Sequence, residues 1–186
     1  MGVAVRRETG MTVAEYRAWV EGTPDDERWE LLDGEPVLMS PPSERHQRTV
    51  ANVVRRLDEL AERRGCSALP GLGVLSAAMD DFAPVPDIVV TCGTPSTEGY
   101  TSAPVLVAEV LSPSTMKNDL GRKTAFYRSV PSLRTFLIVH QDEMRVEVWR
   151  REDGWSMRGI GAGAVIDLPE LGGALAVSDV YARVAF

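Results

Sequence analysis

The chain has 186 residues, 44% of them apolar and 25% charged, with a formal net charge of −7. These are ordinary globular values, and they exclude a collagenous, disordered or helical membrane-spanning class. The longest apolar stretches fall far short of the roughly 20 residues a spanning helix needs. One domain over residues 1–186 is expected, with a core large enough to need no staples.

Arg6, Arg7 and Glu8 are not followed by a continuous apolar run, so no signal peptide is expected. The two cysteines, Cys66 and Cys92, have no partners at metal-ligand spacing and read as reduced, buried thiols. A cytoplasmic location follows as an expectation.

In chain order, Thr12 and Glu15 form a T-x-x-E capping box, and Val13, Tyr16, Trp19 and Val20 recur at helical spacing. Asp33-Gly34, flanked by Trp29 to Leu32 and Glu35 to Met39, predicts a hairpin with a type I′ turn. Pro41 and Pro42 break the second strand, and Ser43 is placed to cap the next element. From Glu44 to Arg64 the apolar positions Val50, Val53, Val54, Leu57, Leu60 and Ala61 form one stripe, predicting a long amphipathic helix on a sheet, stopped by Gly65.

A strand is predicted near Leu72 to Ala77, then a β-branched run after Pro86-Asp87, and after a Gly/Pro/Ser-rich loop the most apolar strand, Val105 to Leu111, interrupted by Glu109. A helix from about Asn118 to Ser129 precedes the strands Thr135 to His140 and Met144 to Arg150, with Trp155 to Arg158 as a further pairing segment. A short helix near Ser178 to Val184 ends the reading. The fold class is α/β, one mixed sheet flanked by helices.

Asp87 and Glu109 stand out chemically. Each lies in or beside an apolar strand, where an unpaired carboxylate loses several kcal/mol of solvation unless it is neutralised or bound to a cation. Two carboxylates on neighbouring strands make a hard oxygen site suited to Mg²⁺, for which Mn²⁺ can substitute. The competing reading is a buried ion pair without a metal.

The pattern Pro86-Asp87, then Glu109-Val110-Leu111, resembles the PD-(D/E)XK core of the restriction-endonuclease superfamily. A wider set of residues resembles the bacterial Uma-type restriction endonuclease family. It comprises Trp29 to Glu35, Met39-Ser40-Pro41, His46, Pro86-Asp87, the string Glu109 to Thr115, Asp119, Lys123 and Tyr127. The resemblance implies a metal-dependent nuclease acting on DNA, with Asp87, Glu109 and the Val110 carbonyl as metal ligands. Leu111 stands where the superfamily has lysine, and the resemblance implies that Lys123, on the following helix, takes that role. The alternative for Lys123 is an i,i+4 surface pair with Asp119.

Glu30 and His46 join the catalytic set, Glu30 facing the metal and His46 bonding a phosphate or orienting a water; a structural role is open for each. Ser112, Ser114 and Thr115 read as caps of the next helix, and Trp29, Trp149 and Tyr127 as packing residues. Residues 112–134 concentrate Lys117, Arg122, Lys123, Arg128 and Arg134 against Asp119 alone. Lys117, Arg122 and Arg128 are therefore candidates for holding a DNA backbone, against the alternative of a solvated helix face. A homodimer is one way such a protein reaches both strands. A non-catalytic nucleic-acid- or protein-binding domain on the same fold is the rival function, favoured by the acidic net charge and by Leu111.

Overall fold

The structure is a computed structural model, and it describes residues 10–94, 98–111 and 120–186. Helix α1 (Val13–Val20) opens it, and the capping box forms as the sequence predicts, with Thr12 and Glu15 bonding reciprocally. Strands β1 (Trp29–Leu32) and β2 (Glu35–Leu38) pair antiparallel. Their two-residue turn has Asp33 at φ 52° and Gly34 at φ 75°, the doubly positive backbone that a type I′ turn requires.

Ser43 caps α2 (Glu44–Ala61), which buries Val53, Leu57 and Ala61 and ends in a 3-10 turn at Gly65, φ 66°. The chain then runs through β3 (Cys66–Pro70), β4 (Gly73–Val74), β5 (Ile88–Cys92), β6 (Tyr100–Thr101) and β7 (Pro104–Leu111). Helix α3 (Leu120–Ser129) leads to β8 (Thr135–His140), β9 (Arg145–Arg150) and β10 (Met157–Gly161). The hairpin β11 (Val165–Leu168) and β12 (Gly173–Ala176) and the short helix α4 (Val177–Val180) follow.

Six strands form the main sheet in the order β10-β9-β8-β7-β5-β3. Only β7 and β8 run parallel, joined by the crossover that contains α3, and every other pairing in this sheet is antiparallel. Helix α2 and the C-terminal segment cover one face, where Val53 and Leu57 meet Ile88, Leu106, Ala108 and Leu137. Helix α3 covers the other, packing Phe126, Tyr127 and Val130 on Val89, Val107, Phe136 and Ile138. With both faces covered, β7 and β8 are near-continuous apolar runs.

Three expectations change. The strand predicted over Leu72 to Ala77 is instead β3 at residues 66–70, with only the two-residue β4 inside the predicted range. The final helix spans Val177–Val180, and Arg183 takes a positive φ of 60°. Cys66 and Cys92 are not free thiols: they are direct register partners on β3 and β5 and form a disulfide. The premise of reduced thiols behind the cytoplasmic expectation therefore falls. No helix among the described residues is long and apolar enough to cross a membrane.

Candidate active site

Glu109 lies near the end of β7 on the α3 face of the sheet. The antiparallel register of β5 with β7, Ile88 opposite Ala108, carries Asp87 to a place opposite Glu109. The backbone N–H of Asp87 donates to Glu109 Oε2 at 3.4 Å, and the N–H of Val110 donates to Asp87 Oδ2 at 2.7 Å. In an antiparallel strand the N–H and C=O of one residue leave on the same side. The Val110 carbonyl thus projects toward the Asp87 side of β7, as a ligand there requires.

His46 enters from the first turn of α2. Its own N–H is capped by Ser43 Oγ at 3.2 Å, and its Nε2 lies 2.9 Å from Asp87 Oδ1. Glu30 enters from β1, its Oε2 accepting from the Val85 N–H at 3.3 Å and from Lys123 Nζ at 3.0 Å. Lys123, on the inward side of α3, also reaches Glu109 Oε1 at 3.5 Å. Five candidate residues distant in sequence thus meet at one point: Asp87, Glu109, Lys123, Glu30 and His46.

Burial sets the electrostatics. Glu30 and Glu109 are each only 6% exposed. Burial pushes the Glu109 carboxyl up to about 7, with the Asp87 and Glu30 carboxylates pushing the same way and Lys123 and the Tyr127 hydroxyl opposing them. For His46, burial disfavours the imidazolium, but the hydrogen bond and charge of Asp87, aided by Glu109, outweigh it and raise its pKa.

Tyr127 was read as a packing residue and is one, at 0% exposure, but its hydroxyl donates to Glu109 Oε1 at 2.8 Å. It lies one turn beyond Lys123, so both side chains converge on the same carboxylate oxygen. The i,i+4 spacing of a lysine and a tyrosine was the available signal, although an amphipathic helix shows it without any such role.

The basic cluster divides. Arg122 pairs with Asp33 at the hairpin turn and is 62% exposed. Arg128 points away from the carboxylates, its guanidinium 5.0 Å over the Trp149 ring and its Nη2 bonded to the Trp155 carbonyl at 3.2 Å. Lys117, with Asp119, Ser112, Ser114 and Thr115, lies outside the described residues.

No group of three or more His, Cys, Asp or Glu among the described residues forms a ready-made metal cage. Mg²⁺ does not need one, since one or two carboxylates with a carbonyl and several waters suffice. Asp87, Glu109 and the Val110 carbonyl are such a hard-oxygen set, and a Glu109 carboxyl pushed upward by burial beside Asp87 gains from a nearby cation.

The fold is restriction-endonuclease-like, a mixed sheet that brings two carboxylates together on neighbouring central strands. The sequence model of the Uma2 family, described as "Putative restriction endonuclease", matches residues 13–178, and the chain belongs to that family. Two Synechocystis proteins are similar, both named as uncharacterized. The protein slr1290 is 31% identical over 105 residues, covering 54% of this chain and 55% of that one. The protein sll1609 is 29% identical over 146 residues, covering 76% of this chain and 81% of that one. The match therefore spans little more than half of slr1290. In three dimensions the chain resembles the crystal structure of a "putative nuclease belonging to DUF820" from Anabaena variabilis. The TM-score is 0.77 at 18% identity, covering 94% of this chain and 99% of that one, a likeness of fold.

Proposed function

We propose that this chain is a divalent-metal-dependent endonuclease that hydrolyses phosphodiester bonds in DNA. The observation that carries the reading is the meeting of Asp87, Glu109 and Lys123, with Lys123 Nζ 3.5 Å from Glu109 Oε1 and Asp87 braced on the Val110 N–H at 2.7 Å. Asp87, Glu109 and the Val110 carbonyl would hold Mg²⁺ or Mn²⁺, which supplies charge stabilisation at the phosphate and acidifies a water.

The protein's own groups do the rest. Lys123, shared between Glu109 and Glu30, presents a half-buried ammonium that orients the attacking water and stabilises its developing charge. Glu30 fixes that ammonium from β1. His46 orients Asp87 through Oδ1, leaving the Val110 N–H to hold Oδ2. Tyr127 fixes the rotamer of Glu109. Arg122 and Lys117 are the proposed backbone contacts, Arg122 exchanging Asp33 for a phosphate. A homodimer would present two such sites to the two strands of a duplex.

The test is cleavage of supercoiled plasmid with Mg²⁺ or Mn²⁺. Wild type is expected to nick and linearise it, and Asp87→Ala to leave it intact; equal behaviour of the two overturns the proposal. A second reading, a binding domain without chemistry, is favoured by the net charge of −7 and by the engagement of Arg122 and Arg128 within the chain. It predicts retained DNA binding with no Mg²⁺ or Mn²⁺ affinity at physiological concentration.

A further inference from the structure

On the side of α3 away from Lys123 lies a cavity of about 340 Å³. Helix α3 contributes three small residues to it, Gly121, Thr124 and Ala125, and the long Arg128, while the sheet contributes Ile138, Glu147 and Trp149. A Cβ at Gly121 would meet nothing within 4 Å, so the opening beside this turn of the helix is unobstructed. Arg128 closes one end by lying over Trp149, which makes that residue a wall of this cavity in place of the backbone contact expected from sequence.

Its position relative to the proposed chemistry follows from register. Glu109 is the partner of Ile138 across β7 and β8, and Ile138 is the partner of Glu147 across β8 and β9. The three form one row across the sheet on the α3 face. Two strand spacings put the Cα of Glu147 about 10 Å from that of Glu109. That is on the order of one to two nucleotide steps along a phosphodiester backbone.

The lining defines the occupant. The walls are apolar apart from the Thr124 hydroxyl, the Glu147 carboxylate and the Arg128 guanidinium, which lies over the one aromatic ring, Trp149. Glu147 is held in place by His140 Nε2 at 3.1 Å and Arg145 Nη2 at 3.0 Å, and both bonds fall on Oε1. A carboxylate so fixed accepts hydrogen bonds and offers none when ionised. It favours a flat heterocycle carrying an exocyclic amino group and repels one whose edge presents carbonyl oxygens on both sides of its single N–H.

We propose that this cavity receives one unstacked nucleobase of the substrate, adenine, cytosine or guanine in preference to thymine. Its amino group donates to Glu147, and its ring takes the place of the Arg128 guanidinium over Trp149. This rests on the nuclease reading for its biological sense, but it concerns binding alone. The chain would then engage single-stranded or locally opened DNA, since a stacked and paired base cannot reach such a recess.

The test needs no cleavage. ¹⁵N-labelled full-length protein in EDTA is titrated with deoxycytidine, deoxyadenosine, deoxyguanosine and thymidine. The indole N–H resonance of Trp149, assigned from a Trp149→Phe spectrum, is followed. Saturable shifts are expected with the three amino-bearing nucleosides, with thymidine about tenfold weaker, the effect of one charge-assisted hydrogen bond. Gly121→Leu, which fills the cavity, should abolish the shifts without lowering the melting temperature, and Glu147→Gln should remove the discrimination against thymidine. No shift of Trp149 at 20-fold molar excess and above, up to about the solubility limit, overturns the proposal. So do shifts that survive Gly121→Leu, or equal affinity for all four nucleosides. A protein that titrates but does not cut plasmid removes the nuclease reading and leaves the cavity assignment; one that cuts but does not titrate does the reverse.

Discussion

Lys123 lies closer to Glu30, at 3.0 Å, than to Glu109, at 3.5 Å. A single ammonium thus bridges a carboxylate from the N-terminal hairpin and one from the central strand, and the helix that carries it is tied to both.

Replacing Lys123 by Met should therefore remove two contacts at once. We expect single-turnover cleavage to fall by about 10²- to 10³-fold, the usual scale for losing one donor that stabilises developing charge, while DNA affinity changes little. Lys123→Arg should not restore the rate, because a planar guanidinium cannot occupy the point between Oε1 of Glu109 and Oε2 of Glu30. Full activity in the Arg variant would show that only charge is needed there.

Glu109 and His46 give the metal-free protein a pH dependence of definite sign. With its carboxyl pushed from 4.5 up to about 7, the folded state holds a proton on Glu109 that the unfolded chain has already lost. Stability from this group therefore declines as pH rises from about 4.5 to about 7. The raised His46 adds stability that is complete below its unfolded pKa and is lost as pH rises through its folded one. Urea denaturation in EDTA should show lower stability at pH 8 than at pH 5.5. Glu109→Gln should recover on the order of 2 kcal/mol at pH 8, and Mg²⁺ should raise the stability of wild type but not of the variant.

Tyr127→Phe removes one hydroxyl and leaves the packing ring. Among the described residues, the Glu109 oxygen it served then keeps the longer contact to Lys123. Loss of a partner that orients a ligand typically costs 10- to 100-fold in metal affinity, so Mn²⁺ titration should show a decrease of about that size. An unchanged Mn²⁺ affinity with merely lowered stability would make the tyrosine a packing residue after all.

The disulfide joins β3 to the C-terminal end of β5, whereas Asp87 precedes the N-terminal end of β5. It closes a loop of 26 residues, for which the chain-entropy estimate is about 3 kcal/mol. Cys66→Ser with Cys92→Ser should lower stability by roughly that amount and leave the cleavage rate of the folded protein unchanged. Mass spectrometry after alkylation without reductant should find neither cysteine of wild type labelled.

Much of the frame was legible in the sequence because local chemistry decided it. Thr12 and Glu15, Asp33-Gly34, and the apolar stripe of α2 each name their element with little help from the rest of the chain. The edge strand β3 was not legible: Ser67, Ala68 and Pro70 are poor strand formers, and pairing with β5 imposes the extended backbone. The Gly- and Ala-rich β12 hid the terminal hairpin for the same reason. Cys66 and Cys92 are 26 residues apart, a separation that says nothing of the register that sets them face to face.

In the site, Asp87 and Glu109 were readable because carboxylates in apolar strands demand compensation. The place of Lys123 came from resemblance, since a lysine on a helix has no such cost to betray it. The directions within the basic cluster were not legible: on α3, position 123 faces the carboxylates, while 121, 124, 125 and 128 face the cavity beside Trp149.

The most direct measurement is the anomalous scattering of Mn²⁺ in crystals of the full chain. The account predicts a peak within ligand distance of Asp87, Glu109 and the Val110 carbonyl, weakened or lost in Asp87→Ala. A peak elsewhere on the fold, or none at saturating Mn²⁺ with these carboxylates still held by His46, Lys123, Tyr127 and the backbone N–H groups of Asp87 and Val110, would contradict it.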